Sequence, residues 1–136
     1  MGTEFDNVQG LPISLAFAEG TVSADSTGAA LIDATISDAV FLVPTGMRFR
    51  PLFITVGLDG AVSAGSLRVY CRSGTTEIKG PEVTFTAGSR ASDTARLHEG
   101  PGVAAGQYVE VAYDSSADMS GPTALSGILV GVLMSA

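Results

Sequence analysis

The segment 124–136 constrains the fold most, because it contains no charged residue and no polar face at either the strand or the helix period. It is too short for a membrane-spanning helix, which needs about 18 to 20 consecutive apolar residues. Its glycines, Gly127 and Gly131, and its β-branched residues favour a strand buried on both faces. A second sheet would cover one face, and a helix, a loop or a neighbouring subunit would cover the other.

Length and composition indicate one all-β domain. The chain has 136 residues and a mass of 13.8 kDa, which is enough for a core without metal or disulfide cross-links. Only 15% of the residues are charged, 46% are hydrophobic and 17 are glycine, a balance typical of strands joined by tight turns. Short apolar runs alternate with turn signals, so we expect an antiparallel β-sandwich of about eight or nine strands.

Residues 47–58 form the longest predicted strand, and the alternation of its apolar residues changes phase at Pro51. Apolar side chains occupy positions 47 and 49 before the proline and positions 52, 54, 56 and 58 after it. A slip of one residue is the signature of a β-bulge or of a strand that moves between sheets. Such bends are expected in the long strands of a sandwich.

Few residues offer catalytic chemistry. His98 is the single histidine and Cys71 the single cysteine, so a centre of several imidazole or thiolate ligands is not predicted. No Gly-x-Ser-x-Gly elbow accompanies His98, and Cys71 is interpreted as a small core residue. We therefore predict no catalytic residue, no cofactor and no metal centre, and we expect the protein not to be an enzyme.

Two acidic segments resemble known sites only in part. Asp25-Ser26-Thr27-Gly28 has one residue too many for the tight turn of an aspartic protease, so we interpret it as a loop. Asp114 and Asp118 flank two serines and have oxygens that suit calcium. Solvated acidic residues of a turn are the simpler interpretation of that pair.

The net charge of −7 argues against nucleic acid as a partner, because it repels the phosphate backbone. The sequence also predicts no association with a membrane. Carbohydrate-binding β modules stack sugar rings on exposed aromatic residues, and this chain has no tryptophan and three tyrosines. A lectin-like function is weakened by this composition but stays open.

Two pairs of arginines stand out, Arg48 with Arg50 and Arg68 with Arg72. Their spacings of two and four residues place both members of each pair on one face of a strand. They are candidates for bidentate contacts with carboxylates of another protein. Pairing with this chain's own acidic residues is the equal alternative.

The sequence VPTGMRFRP at residues 43–51, before a long strand, and the apolar final strand resemble virion proteins of tailed phages. Among these, the chain is most similar to the jelly-roll cement or decoration proteins. The resemblance implies a protein without enzymatic activity that binds the major capsid protein on the capsid exterior and clamps adjacent capsomers. It also implies a homodimer or homotrimer and assembly in the host cytoplasm, with which the lone cysteine and the absence of a secretory signal agree.

The expected organisation is an N-terminal arm, residues 1–10, followed by one sandwich domain, residues 11–136. Phe5 and Val8 would anchor the arm on the capsid, although an ordinary first strand is an equal interpretation of this segment. The competing function is a phage fibre head or other receptor- or carbohydrate-binding module. The candidate interface residues are Phe5, Val8, Arg48, Arg50, Arg68, Arg72, Leu129 and Leu133.

Overall fold

Two antiparallel sheets make up the part of the chain that the computed structural model describes, residues 10–31, 40–74, 76–96 and 102–135. Within these residues there are eleven strands. Their bounds are β1 Leu11–Glu19, β2 Ala29–Ala30, β3 Val40–Leu42, β4 Met47–Leu58, β5 Ser66–Ser73, β6 Thr76–Glu77, β7 Val83–Thr86, β8 Ser92–Arg96, β9 Val103–Ala104, β10 Tyr108–Ser115 and β11 Leu125–Ser135.

The strand order confirms the predicted sandwich and its jelly-roll topology. The first sheet has the order β1-β11-β4-β8, and the second has the order β2-β10-β5-β6. In addition, β9 pairs with β4, β3 with β10 and β7 with β5. The chain thus crosses repeatedly between the two sheets, and its last described strand, β11, lies beside β1, as in a jelly roll.

The predicted number of eight or nine strands is too small for these residues, because very short strands escape a pattern search. β2, β6 and β9 have two residues each. Both β2 and β3 pair with β10, at successive positions along its length, so they share one position in the strand order of the second sheet.

Two phenylalanine rings fill the space beside the glycines of β11, which explains why this strand carries glycine. Gly127 pairs with Phe17 of β1, and a Cβ atom at position 127 would lie 2.6 Å from Cζ of Phe17. A Cβ atom at Gly131 would lie 2.8 Å from Cε1 of Phe49. Both rings are at most 1% exposed. Covering a strand glycine with an aromatic ring compensates for the missing side chain.

The phase change in β4 is a β-bulge, as one of the two interpretations of the sequence predicts. Val130 pairs with Phe53 and Gly131 pairs with Pro51, so Leu52 is the extra residue. Pro51 is buried before the bulge and Ile54 after it. The strand stays in the first sheet along its whole length, which excludes the alternative that it moves between sheets.

Pro44, Thr45 and Gly46 form the turn that leads from β3 into β4. The backbone N–H of Met47 donates to the carbonyl oxygen of Pro44 over 3.2 Å. Gly46 has a φ of 80°, which is in the left-handed region that glycine adopts without strain. The described residues contain no helix that is long and apolar enough to span a membrane.

Asp59 joins the end of β4 to the segment that leads into β11. Its carboxylate accepts hydrogen bonds from the backbone N–H groups of Thr123, over 2.8 Å, and Ala124, over 3.0 Å. The Thr123 hydroxyl donates to the other carboxylate oxygen. These bonds favour the ionised form, so the pKa of Asp59 lies below its ordinary value of 3.8.

We expect Asp59 to contribute to the acid sensitivity of the fold. A lowered pKa in the folded state means that the contribution to stability is present above pH 3.8 and is lost as the pH falls through the folded-state pKa. Asp59→Asn should therefore flatten the loss of stability between about pH 5 and pH 2, measured as urea midpoints. Thr123→Val, which removes the hydroxyl donor, should raise the pKa of Asp59 in NMR titration. If the urea midpoint of Asp59→Asn fell between pH 5 and pH 2 as steeply as that of the wild type, this assignment would be wrong.

Candidate interaction surfaces

The structure buries Leu129 and Leu133, two of the predicted interface residues, in the core between the sheets. Their exposed fractions are 0% and 5%. They pair with Ile54 and Phe49 of β4, whose side chains are also buried. The prediction of these two side chains as interface residues therefore has to be corrected: both face the core, and the other face of β11 points outward.

The outward face of β11 is an apolar stripe in the middle of the first sheet. Its four members are partly exposed, and we call them the β11 stripe: Ile128, Val130, Val132 and Met134. None of them belongs to the buried core cluster or packs against it. On β1 the stripe is flanked by small or apolar residues, which pair with it in register: Pro12, Ser14 and Ala16. The first sheet thus presents an apolar outer face.

Arginines border the β11 stripe on the side of β4 and β8. Arg48 pairs with Met134 and Arg50 with Val132, so both arginines share the outer face with the stripe. Farther along β4, Phe53 pairs with Val130 on one side and with Arg96 of β8 on the other. The guanidinium carbon of Arg96 lies 5.6 Å from the centroid of the Phe53 ring, a cation–π distance.

Arg68 and Arg72 lie on the outer face of the second sheet, on the opposite side of the molecule from Arg48 and Arg50. The Arg68 guanidinium forms ion pairs with Glu77 and Glu82 and with Asp114, the last over 3.2 Å. It also lies 4.2 Å from the centroid of the Tyr70 ring. Burial opposes the charged form, but Glu82 and Asp114 outweigh it and raise the pKa of Arg68. The arginine is held by this chain's own acidic residues.

Arg72 is held in the same way. Its Nε donates to Glu110 over 2.7 Å and its Nη1 donates to the carbonyl oxygen of Gly28 over 2.7 Å. Asp114 accepts from the Tyr70 hydroxyl over 3.0 Å and from the Gly28 N–H over 2.7 Å. The sequence left two interpretations of Arg68 and Arg72, contacts with another protein and pairing with this chain's own acidic residues. The contacts within the chain correspond to the second. The pairs fix the positions of β2, β5 and β10 relative to one another.

An exposed aromatic residue lies at the start of β10. Tyr108 is 51% exposed and pairs with Leu42 of β3, which is 50% exposed. The other two tyrosines, Tyr70 and Tyr113, are 7% and 3% exposed. Tyr108 is therefore the tyrosine that offers a ring to a ligand.

The residues with chemistry of their own do not form a reactive site in the described part of the chain. Cys71 is 1% exposed, and burial, with a smaller contribution from Glu82, raises the pKa of its thiol to about 12. Such a thiol stays protonated and is a poor nucleophile at neutral pH. His98 lies outside the described residues, as do Phe5 and Val8.

The two acidic segments that resemble protease or calcium sites form neither kind of site. Their acidic residues lie in loops or pair with neighbouring side chains of this chain. Asp25 lies in a loop, with a φ of 58°, and its N–H donates to the carbonyl oxygen of Ser116. Asp118 accepts from the Ser116 hydroxyl over 2.8 Å, whereas Asp114 belongs to the network around Arg68. Across the described residues, no group of three or more His, Cys, Asp or Glu side chains is placed to hold a metal ion.

Three surface grooves add no further chemistry. A groove of about 320 Å³ lies beside the Arg68 network, between Tyr70 and Glu82. One of about 420 Å³ lies at the end of the first sheet, near Leu58, and one of about 490 Å³ lies along the loop between β7 and β8. Histidine and cysteine are absent from the described linings of all three.

Sequence reasoning did not identify Phe53, Arg96 and the β11 stripe as surface residues. A signal for Phe53 was available, because the slip at Pro51 places position 53 on the opposite face from the buried Ile54. The acidic partners of Arg68 carried no such signal. They lie 9, 14 and 46 residues away in the sequence and meet only after β5 has paired with β6, β7 and β10.

No protein-family model matches the chain, and no curated protein matches it. Among solved structures, the chain is similar to a chain of the cyanophage Pam1 capsid asymmetric unit, with 14% sequence identity and a TM-score of 0.48. That similarity covers 91% of this chain and 86% of the other chain.

Proposed function

We propose that this chain is a structural virion protein that binds the outer surface of a phage capsid and cements neighbouring capsomers. The observation that carries the proposal is the outer face of the first sheet, where the β11 stripe is apolar and partly exposed. Contiguous apolar surface of this kind is typical of a protein that associates with another protein. The proposed function consists of binding alone, and binding requires no catalytic residue.

A cement protein gains strength from many copies, each with a modest interface. In this proposal the major capsid protein supplies the bound surface, and self-association into a dimer or trimer multiplies the contacts. The N-terminal arm, residues 1–10, with Phe5 and Val8 as anchors, would add a second contact with the capsid. Arg68 and Arg72 would support the fold, because their contacts are made within the chain.

In the test, the purified chain is mixed with DNA-filled capsids of a phage whose gene for this chain has been deleted, so that the capsids lack the chain. We expect electron microscopy to show added density on the capsid exterior. We also expect the capsids with the chain bound to retain their DNA at a higher temperature than the bare capsids. Absence of the chain from purified virions, together with no binding to bare capsids, would refute the proposal.

A receptor- or carbohydrate-binding module is the second candidate, and the exposed ring of Tyr108 is the observation that favours it. Sugar rings stack on aromatic faces of this kind. A glycan array separates the two functions. Strong glycan binding that is lost in Tyr108→Ala, without capsid binding, would establish this second function in place of the first.

A further inference from the structure

The outer edge of β1 is the longest open strand edge in the part of the chain that the structure describes. β1 has nine residues, stands first in the order of its sheet and pairs, among the described strands, with β11 alone. The strands at the other edges, β2, β3, β6, β7, β8 and β9, have two to five residues. β8, the longest of these, also carries Asp93 and Arg96. Short strands and charged side chains keep a sheet edge from pairing with other chains.

β1 has little of this protection. Residues 11–18 contain no charged side chain, and Glu19 is the last residue of the strand. Pro12 blocks the edge in part, because proline has no N–H to donate. It is the second residue of the strand, however, and leaves residues 13–18 able to pair. An uncharged edge of this length accepts another β-strand.

Every second residue of β1 turns its backbone groups away from β11. The N–H of Asp59 donates to the carbonyl oxygen of Ala124 over 3.1 Å, so the even-numbered residues along β11 bond to β4 and the odd-numbered ones bond to β1. The β1 residues that pair with these odd-numbered residues are odd-numbered too. The even-numbered residues of β1 therefore point their backbone groups outward, and those with an N–H to donate are Ser14, Ala16 and Ala18.

The inward face of β1 leaves apolar surface uncovered beside this edge. Leu11, Ile13, Leu15 and Phe17 share that face, because they occupy alternate positions of the strand. Phe17 is 1% exposed, but Leu11 is 56% exposed, and Ile13 and Leu15 are partly exposed. A strand added at the edge of β1 would cover this row with its own inward side chains.

We propose that β1 pairs antiparallel with β1 of a second copy of this chain, so that the two first sheets join into one. The inference specifies the self-association that the proposed function includes, and its role in the virion rests on that function. In a two-fold arrangement centred on Ser14, Ile13 of one copy lies opposite Leu15 of the other, and Leu11 lies opposite Phe17. The uncovered rows then bury each other, and the outward N–H of Ser14 donates across the axis.

Charge and symmetry favour a second copy at this edge. Each copy has a net charge of −7, so two copies repel each other, and the repulsion is weakest where neither contributes a carboxylate. Residues 11–18 are such a segment. Pairing of β1 with itself also closes after two copies, whereas pairing of β1 with the β8 edge of another copy would leave free edges for further copies to join.

The test measures the mass of the purified chain in solution, without capsids, by analytical ultracentrifugation from about 1 to 100 μM. Ser14→Glu places a carboxylate at the centre of the interface, and Ser14→Pro removes the outward N–H without adding charge. Ser92→Glu and Ser92→Pro are the matched controls, because Ser92 is an exposed residue of β8, at the opposite edge of the same sheet. Circular dichroism and melting temperature establish that each variant is folded.

We expect the wild type to have twice the mass of the 13.8 kDa chain, and both Ser14 variants to weaken the dimer by at least about tenfold. The Ser92 variants should dimerise like the wild type. Higher salt should strengthen the wild-type dimer, because it screens the repulsion between two acidic copies. Amide hydrogen exchange at Ser14 and Ala16 should slow as the wild-type concentration rises, and this measurement decides the question even if neither Ser14 variant folds.

A wild type that stays monomeric, or that forms a trimer, would overturn the inference. So would a dimer that the Ser14 variants leave intact or that the Ser92 variants weaken equally. If the free chain is monomeric and the same two amides become protected on capsids, the edge binds a strand of the capsid protein instead. Capsid binding tests the proposed function separately: a dimer that does not bind capsids would refute that function and leave the pairing of β1 in place.

Discussion

Replacing Phe49 with alanine is expected to lower the free energy of unfolding by about 3 to 5 kcal/mol. The Phe49 side chain is fully buried, and its ring fills the space beside Gly131. It also contacts the Phe41 ring, with 5.7 Å between the centroids. The substitution would leave a cavity next to a glycine, and glycine has no side chain that can move into it.

Phe53→Ala is the matched control for this prediction. The same atoms are removed from the same strand, but on the partly exposed outer face, where water replaces the ring. We expect a loss of about 1 kcal/mol or less, because a partly exposed side chain leaves no internal cavity. Both losses of unfolding free energy are to be measured by urea unfolding, with the m-value unchanged between the variants and the wild type. Equal losses in the two variants would show that the ring of Phe49 does not carry the core contact described here.

The second large effect is expected from Gly127→Ala, although it adds only one methyl group. The new Cβ atom would collide with the carbonyl oxygen of Thr55 and lie 2.6 Å from Cζ of Phe17. The carbonyl belongs to the neighbouring strand β4, so relief requires the sheet to distort. We expect a loss of about 1 to 3 kcal/mol, as for other overpacked cores, and a larger loss for Gly127→Val.

Gly57→Ala provides the comparison, because it makes the same change on the adjacent strand. The nearest atom to its new Cβ is the carbonyl oxygen of Ser126 at 4.0 Å, an ordinary contact. Alanine has less conformational freedom to lose than glycine, so this variant should be neutral or slightly more stable than the wild type. A Gly127→Ala variant as stable as Gly57→Ala would contradict the close packing of Phe17 on β11. A Phe17→Leu substitution in the Gly127→Ala background should recover part of the lost stability.

The β4 strand shows what periodicity in the sequence can predict. A strand has two faces, so the change of phase at Pro51 limited the interpretation to a bulge or a strand that moves between sheets. The pairing with β11 decides for the bulge. The turn at Pro44-Thr45-Gly46 was equally predictable, because proline and glycine each limit the local backbone. The composition and the spacing of turns led to the all-β sandwich for the same reason: these signals are local.

The two faces of β11 could not be distinguished in this way. Apolar residues occupy both faces, so the pattern alone does not show which side points inward. The choice is made by Phe17 and Phe49, whose rings lie beside Gly127 and Gly131. These contacts join residues that are far apart in the sequence, and this is why Leu129 and Leu133 were predicted as interface residues although they face the core.

The position of β11 also bears on how this chain is made. β11 lies between β1 and β4, and a ribosome delivers both of these strands well before it. Until residues 125–135 emerge, a nascent chain has two apolar strands with no neighbour to join them, and their edges are open to other chains. Completion of the first sheet therefore waits for β11, and chaperones that hold unfinished β-strands apart should increase the yield of this protein.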